Sequence, residues 1–270
     1  MNDYKLIACD LDGTLLDSNM SLSEENRAAI KELTDMGVLV VPTTGRTVCE
    51  MRQVFELSRV RYVIHTTGAA VRDKKTGETV LFGLDAKNTN FVFDALDRYD
   101  AFALVHADGN AYVDKEKAER LGDYDLHPNV QTIVEDFCQL SENLREKFVC
   151  GNIEGFACFF KNEKERDEFR DIIEANPELY CTVAWERNLE VFYKGAGKAK
   201  ALKHLADTLE IDMKDVITIG DSANDIDMTL AAGLGLATAN ARDVLKEVAD
   251  EIICSNDEHI MTYVKEHYFL

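Results

Sequence analysis

Residues 6–14 read LIACDLDGT, and this stretch decides the fold class. Four apolar residues in a row are typical of a strand that is buried on both faces of a parallel sheet. Two acidic residues, Asp10 and Asp12, follow where that strand ends, and Gly13 permits the tight turn that exposes them. Carboxylates this close together repel each other unless a cation compensates. The stretch therefore predicts a chemical site at the end of a buried strand.

The first and last thirds of the chain alternate apolar runs with helical patterns. Residues 21–36 predict a helix, with Ser21 and Glu24 as its capping box and Gly37 as its stop. Apolar residues between 48 and 57 predict a second helix. Further strands are predicted at residues 38–41, 62–64 and 216–219. This alternation predicts an α/β core, a doubly wound parallel sheet (Rossmann-like) with helices on both faces.

The middle of the chain has a different pattern. Hairpins are predicted around residues 76–77 and 109–110, and helices near 90–98 and 163–175. Hairpins mixed with helices indicate an α+β unit inserted into the core. We expect this inserted cap domain at residues 83–189, and the catalytic core at 1–82 and 190–270.

Composition restricts the classes of function. The 270 residues include 50 acidic and 30 basic side chains, a net charge of −20, so we expect neither nucleic acid nor an anionic membrane as a partner. No apolar run approaches the length of a membrane-spanning helix. The seven cysteines are scattered without a CxxC pair, which predicts neither a disulfide framework nor a zinc site. The N-terminus lacks the pattern of a signal peptide, and we expect a cytoplasmic protein.

A second acidic cluster follows the predicted strand at residues 216–219. Asp221 comes after that strand and Gly220, as Asp10 follows the first strand, and Asp225 lies four residues further on. Acids at a helix N-terminus also complement the helix dipole, and this explanation is sufficient for Asp225 when that residue is considered by itself. Two carboxylates at strand ends facing one crevice form an oxygen-rich site that suits Mg²⁺.

Two further segments at strand ends or helix starts could hold an anion. Lys198 opens a predicted helix, where a cation opposes the dipole and an anionic partner is expected. Read alone, Lys198 is more simply an exposed lysine. Thr44, Gly45 and Arg46 follow the second strand, where a hydroxyl and backbone amides could bind an anion. A glycine turn with an N-capping threonine explains the same three residues.

Together these segments resemble the haloacid dehalogenase superfamily of phosphotransferases, and more closely its Cof-like phosphatases with a large α/β cap (type IIB). The likeness spans the chain. The matching segments are residues 10–15 (DLDGTL), 44–46 (TGR), Lys198 with 201–202, and 220–225 (GDSAND). Thr67 stands where asparagine is usual, and His259 stands where glycine is usual. Both departures concern the substrate pocket rather than the core reaction.

The resemblance implies an aspartate-based phosphoryl transfer. Asp10 would attack phosphorus and form an aspartyl phosphate, and Asp12 would protonate the leaving alkoxide and then activate water. Lys198 and Thr44 would hold the transferring phosphoryl group. Gly45 and Arg46 would also contact the substrate.

The resemblance also implies a Mg²⁺ cofactor. Its ligands would be Asp10, the backbone carbonyl of Asp12, and Asp221. Asn224 and Asp225 would complete or orient that shell. The implied function is a magnesium-dependent phosphomonoester hydrolase that acts on small phosphorylated metabolites such as sugar phosphates.

The inserted cap would close over the site and select the leaving group. Trp185 and Arg187 lie where the last strand of the cap is expected to turn back toward the core. We therefore predict that Arg187 helps to bind the leaving group. A buried Trp185 beside a solvated turn is the simpler interpretation of the same residues.

Two alternative functions fit the same residues. A sugar phosphomutase of the superfamily also uses the Asp-x-Asp-Gly-Thr motif, and Asp12 serves both reactions. A phospho-receiver or sensor module needs an aspartate, a threonine and a lysine on a doubly wound sheet. Such a module has no need of Asp12 as an acid or of a large cap, so it is the weaker alternative.

Overall fold

The computed structural model describes residues 4–51, 54, 56–124, 126–183 and 186–270. The chain divides into two compact units. Unit 1 comprises Met1–Arg46, Met51–Val80 and Gly197–Leu270, and unit 2 comprises Thr47–Glu50 and Leu81–Ala196. The sequence placed the two boundaries of the insertion at residues 83 and 189. It did not assign Thr47–Glu50 to the inserted unit.

The described residues form the following strands and helices. The strands are β1 (Leu6–Cys9), β2 (Leu39–Pro42), β3 (Tyr62–His65), β4 (Ala70–Asp73), β5 (Thr79–Leu81), β6 (Leu84–Asp85), β7 (Phe102–Ala107), β8 (Asn110–Asp114), β9 (Gln139–Ser141), β10 (Gly151–Ile153), β11 (Gly155–Phe159), β12 (Leu179–Thr182), β13 (Asn188–Tyr193), β14 (Val216–Gly220), β15 (Leu234–Ala237) and β16 (Glu251–Ile252). The helices are α1 (Glu24–Asp35), α2 (Ala86–Leu96), α3 (Lys115–Glu119), α4 (Pro128–Asp136), α5 (Leu144–Lys147), α6 (Glu163–Glu174), α7 (Lys198–Thr208), α8 (Ile226–Ala231), α9 (Asp243–Lys246) and α10 (Ile260–Tyr268).

Unit 1 is built on a parallel sheet with the strand order β16-β15-β14-β1-β2. All four residues of β1 are fully buried, as the apolar run predicted. Thr43, the residue directly after β2, forms an isolated parallel bridge with Ile64 of β3. Strand β3 therefore lies next to β2, on the side away from β1. Strand β1 pairs in parallel with β14, and Cys9 lies opposite Ile219. The chain therefore leaves both strands at the same edge of the sheet, with Asp10 beside Gly220.

Helix α1 confirms the predicted helix but corrects its capping residue. The expected capping box of Ser21 and Glu24 does not form. Ser23 is the N-cap, with an extended backbone, and its hydroxyl accepts a hydrogen bond from the Asn26 N–H at 3.2 Å. Ser21 lies earlier, in a loop where its own N–H donates to the Asp17 carboxylate at 2.9 Å. The sequence contains a capping serine at both positions, and the loop held by Asp17 selects the second.

Unit 2 is built on a sheet with the strand order β12-β13-β11-β7-β8-β9, antiparallel except at β8-β9. Helices α2 and α6 contribute to the core on one face of this sheet, and residues of α4 contribute to the core on the other. The β7-β8 hairpin turns at Asp108 and Gly109, which both have positive φ (53° and 73°). The turn therefore lies one residue earlier than predicted, because these two residues occupy the left-handed positions that a two-residue hairpin turn requires.

Among the described residues, every helix is too short or too polar to cross a lipid bilayer. All seven cysteine thiols are free.

Candidate active site

Three side chains meet at the carboxyl edge of the parallel sheet in unit 1. Asp10 follows β1, Asp225 lies at the turn before α8, and Lys198 is the first residue of α7. The Lys198 ammonium donates hydrogen bonds to Asp10 Oδ1 at 2.6 Å and to Asp225 Oδ1 at 2.7 Å. All three residues are at most 5% exposed. Lys198 is therefore a buried bridge between two carboxylates and not a surface lysine.

Burial and charge act against each other in this cluster. Burial alone lowers the pKa of Lys198, but the charges of Asp10 and Asp225 raise it above its ordinary value, so the ammonium stays charged. Burial also raises the pKa of Asp10; Lys198 opposes this shift, while Asp225 and then Asp221 add to it. A cation at a helix N-terminus costs about 0.3–1 kcal/mol, and the two carboxylates offset that cost. One lysine among three carboxylates leaves a surplus of negative charge.

Asp221 provides the third carboxylate of the cluster. Oxygen atoms of Asp10, Asp221 and Asp225 all lie within 4.8 Å of one another. Burial, followed by the charge of Asp225, raises the pKa of Asp221, as expected for an acid that lacks sufficient neighbouring positive charge. Hard oxygen donors, close spacing and surplus negative charge are the properties that suit Mg²⁺. The residues present therefore fit the metal that the resemblance implies.

Asp225 orients the cluster as well as adding charge to it. Its second oxygen, Oδ2, accepts hydrogen bonds from the backbone N–H groups of Asp221 and Ser222, both at 3.1 Å. Its first oxygen is bonded to Lys198. Both oxygens are thus already engaged, which makes Asp225 an orienting residue for Asp221 and Lys198. Asn224, beside it, is exposed.

The turn after β1 approaches the Asp221 carboxylate closely. Gly13 has φ of +74°, and a Cβ atom built there would lie 2.7 Å from Asp221 Oδ2. The Thr14 and Ser222 hydroxyls donate to Asp221 Oδ1 at 3.5 and 3.2 Å. Only glycine therefore fits at position 13, for reasons of both conformation and space. Thr14 and Ser222 were not among the predicted site residues, although both lie inside the matching motifs.

Asp12 lies two residues after Asp10 but outside the Lys198 cluster. Its partner is Arg46, whose Nε donates to Oδ2 at 2.9 Å and whose Nη2 donates to Oδ1 at 2.5 Å. In this structure the guanidinium of Arg46 is paired with the predicted acid, and its predicted role in binding substrate stays a prediction.

Thr44 is fully buried at the end of β2. Its hydroxyl oxygen accepts the Arg46 N–H at 3.1 Å, so the turn after β2 is closed by the side chain of its own threonine. Gly45, between them, is exposed.

A turn after β3 supports this region from the neighbouring strand. Thr66, Thr67 and Gly68 all have positive φ, of 50°, 55° and 84°. A Cβ atom at Gly68 would lie 2.3 Å from the backbone of Gly197, directly before Lys198. Consecutive left-handed residues are costly and persist only where the surroundings impose them. Here the turn packs against the start of the helix that carries Lys198.

Unit 2 contains the remaining predicted site residue. Arg187 Nη1 donates to the Lys161 carbonyl at 3.3 Å, and the Arg187 carbonyl accepts the Phe160 N–H at 3.0 Å. These contacts join the end of β11 to the start of β13. The role of Arg187 in binding a leaving group stays a prediction, and Trp185 lies outside the described residues.

Sequence comparison finds relatives along the whole chain. A family model described as haloacid dehalogenase-like hydrolase matches residues 7–263. Phosphatase YwpJ of Bacillus subtilis is 32% identical over 97% of this chain and 99% of its own length. The 5-amino-6-(5-phospho-D-ribitylamino)uracil phosphatase YcsE of the same organism is 31% identical, over 99% of this chain and 97% of its own length.

Structure comparison gives the same result for the fold. A haloacid dehalogenase-like hydrolase from Bacteroides thetaiotaomicron superposes with a TM-score of 0.84 at 20% identity, covering 98% of this chain and 100% of that one. The subclass IIB sugar phosphatase BT4131 gives a TM-score of 0.77 at 18% identity, covering 98% of both chains. The expected architecture, a parallel-sheet α/β core with a cap domain, is therefore confirmed.

Proposed function

Because this chain belongs to the haloacid dehalogenase-like hydrolases and is a phosphatase like its curated relatives, we propose that it hydrolyses phosphomonoesters of small metabolites with Mg²⁺, through an aspartyl phosphate. The observation that carries the proposal is the buried Asp10–Lys198–Asp225 bridge at the carboxyl edge of the sheet. Open α/β sheets bind their ligands at this edge.

We propose the following roles for the residues of the site. The Asp10 carboxylate forms a bond to phosphorus while the bond to the leaving oxygen breaks, and Asp12 gives its proton to that oxygen. Water then attacks the phosphoryl group, its proton passes to Asp12, and Asp10 is released. Lys198 and the Thr44 hydroxyl are the groups that would hold the phosphoryl oxygens, whose charge must be offset in a loose transition state.

The proposal includes a Mg²⁺ site made by Asp10, Asp221 and the Asp12 carbonyl, with Asn224 and Asp225 supporting it. When bound, the ion offsets the repulsion between the carboxylates and a phosphate dianion. Asp221 contributes its carboxylate, and Asp225 holds Asp221 and Lys198 in place through the hydrogen bonds described above.

A phosphorylated sugar or polyol is the substrate class that we propose. Support comes from the relatives, since BT4131 is described as a sugar phosphatase and YcsE acts on a phosphoribityl compound, as their names state. A net charge of −20 disfavours nucleic acid and anionic membranes as partners. We also propose that the protein works in the cytoplasm, in keeping with a small metabolite as its substrate.

The test is phosphate release from a panel of sugar phosphates, polyol phosphates and the phosphoribityl compound, with Mg²⁺ and with chelator. We expect steady release of inorganic phosphate beyond one equivalent per chain, and none after exhaustive chelation. Isomerised sugar phosphate without free phosphate would establish the phosphomutase instead. A single equivalent would indicate a receiver module.

The metal assignment has a separate test. Asp221→Ala should raise the Mg²⁺ concentration for half-maximal activity by at least about 10- to 100-fold, because that is the usual effect of losing a residue that only supports a ligand, and Asp221 is proposed as a ligand itself. The matched control is Asp227→Ala, an exposed acid on α8. Equal Mg²⁺ requirements for the two variants would remove Asp221 from the proposed site.

A further inference from the structure

Arg46 and Asp12 form a fork-to-fork pair in unit 1. Each carboxylate oxygen of Asp12 accepts one N–H of the Arg46 guanidinium, at 2.9 and 2.5 Å. The pair is partly accessible, with 25% of the Arg46 side chain and 42% of the Asp12 side chain exposed. Bidentate pairs of this kind fix the direction of a carboxylate as well as its charge.

The backbone on the arginine side of the pair is held from two directions. The Arg46 N–H donates to the Thr44 hydroxyl at 3.1 Å, and the Arg46 carbonyl accepts the Thr66 N–H at 2.9 Å. Thr66 belongs to the left-handed turn after β3. The base of the arginine is therefore fixed, so any change in the pair must come from the side chains.

The proposed reaction requires more of Asp12 than this pair allows. To give a proton to the leaving oxygen, or to take one from water, Asp12 must present one oxygen to the reacting group within hydrogen-bond distance. Both oxygens are bonded to Arg46 here. The guanidinium keeps its own protons under all ordinary conditions, so it is not the proton carrier.

We propose that Arg46 is a positioning residue for Asp12. One of its two hydrogen bonds opens in each half-reaction and frees one oxygen of Asp12, while the other keeps the carboxyl group directed at the reacting atoms. This inference rests on the proposed function, because it assigns Arg46 to the proton-transfer residue of that mechanism. It gives Arg46 a role through Asp12, whereas the sequence predicted a direct contact of Arg46 with the substrate.

The decisive variant is Arg46→Lys, because lysine keeps the charge but cannot bind both carboxylate oxygens in a fixed fork. We expect kcat for an alkyl phosphate to fall about 10- to 100-fold, part of the usual contribution of acid–base catalysis. KM should change little. With an aryl phosphate, whose leaving group needs no proton, formation of the aspartyl phosphate should stay fast while its hydrolysis slows. Phosphoryl-enzyme should therefore accumulate on the peptide that contains Asp10, measured by acid quench and mass spectrometry.

The matched control is Arg61→Lys. Arg61 makes a similar fork to Asp73 in the same unit, with Nε 3.2 Å from Oδ1 and Nη2 2.7 Å from Oδ2, and neither residue belongs to the proposed machinery. Its kcat and its level of phosphoryl-enzyme should match the wild type. In Arg46→Gly, added guanidinium ion should restore part of kcat. If the arginine had only a structural role, added guanidinium ion would not restore kcat.

Two results would overturn the inference. A raised KM with unchanged kcat on both substrates would mean that Arg46 binds substrate and transition state equally. Equal losses on alkyl and aryl phosphates, with no phosphoryl-enzyme, would mean that Arg46 does not act through Asp12. Asp12→Asn distinguishes these outcomes from failure of the proposed function. If Asp12→Asn also forms no phosphoryl-enzyme from the aryl phosphate, the aspartyl-phosphate mechanism itself is wrong.

Discussion

Carboxylates that are shielded from water occur in both units, but their electrostatic surroundings differ. In unit 1, Asp10 and Asp225 share the ammonium of Lys198, at 2.6 and 2.7 Å. In unit 2, Glu190 on β13 is partly buried between Ala157 and Thr182 of the neighbouring strands. In the part of the chain that the structure describes, its carboxylate has no cationic or hydrogen-bonding partner. Burial, and then the charge of Glu50, raises the pKa of Glu190 to about 7.

The difference shows two ways to accommodate the cost of burying a charge. In unit 1 the Lys198 ammonium opposes the rise that burial causes in the pKa of Asp10, and so favours the charged form of that carboxylate. Without such a cation, Glu190 takes up a proton as the pH falls toward neutrality. A nucleophilic carboxylate benefits from the first arrangement because only its charged form attacks phosphorus.

The largest expected effect comes from removing the nucleophile while keeping the shape of the bridge. Asp10→Asn should lower phosphate release by on the order of 10⁴-fold or more, because an amide cannot attack phosphorus. The fold should persist, since the amide oxygen can still accept the Lys198 hydrogen bond. Phosphate release and far-UV circular dichroism measure the two effects. Activity within tenfold of wild type would refute the nucleophile assignment.

Removing the cation should affect both activity and stability. In chelator, Lys198→Met should lower the free energy of unfolding by about 3–5 kcal/mol, the usual cost of leaving buried charges without their partner. Phosphate release with Mg²⁺ should fall about 10²- to 10³-fold, because the phosphoryl group loses a fixed positive charge. Denaturant unfolding and steady-state kinetics measure the two losses.

Lys200→Met is the matched control for that experiment, since Lys200 is exposed on the same helix. It should leave the free energy of unfolding and phosphate release close to wild type. A Lys198→Met protein as stable as this control would contradict the view that the ammonium offsets the burial of Asp10 and Asp225.

The smallest effect tests the unpaired carboxylate. The pKa of Glu190 is raised in the folded state, so the folded protein holds this proton more tightly than the unfolded chain does. The stability that this bound proton contributes is therefore fully present below about pH 4.5. It is lost as the pH rises through about 7, and the free energy of unfolding falls by up to about 3 kcal/mol in that range. Glu190→Gln should remove this loss, leaving the variant more stable than wild type above pH 7 and similar to it near pH 4.

Thermal or denaturant unfolding between pH 4 and 8 measures that pH dependence. The matched control is Glu174→Gln, which makes the same change at an exposed position of unit 2. If both variants follow the wild-type dependence on pH, Glu190 is not the source of the slope.

Much of the fold follows from local patterns. The run of residues 6–9 contains only apolar side chains, and the structure places all of it in the buried strand β1. The helix over Glu24–Asp35 follows from its apolar spacing and from the glycine after it. Details that depend on loop geometry did not follow: Ser23 rather than Ser21 caps that helix, and the β7-β8 turn lies one residue earlier. In each case neighbouring residues have similar local preferences, and contacts made by the loop decide between them.

The sequence by itself determined that Asp10, Asp12 and Asp221 lie after buried strands, because the chemistry of these motifs is local to a strand and its turn. Only the tertiary structure decided which side chains meet. Lys198, which resembles an exposed lysine when read alone, lies 188 positions from Asp10 along the chain and is bonded to it. Arg46 is bonded to Asp12 across 34 positions. Parallel pairing of β1 with β2 brings Arg46 and Asp12 to one edge of the sheet. Packing of the start of α7 against the turn after β3 places Lys198 near Asp10. That pairing depends on how the whole chain packs, and no local pattern of residues contains it.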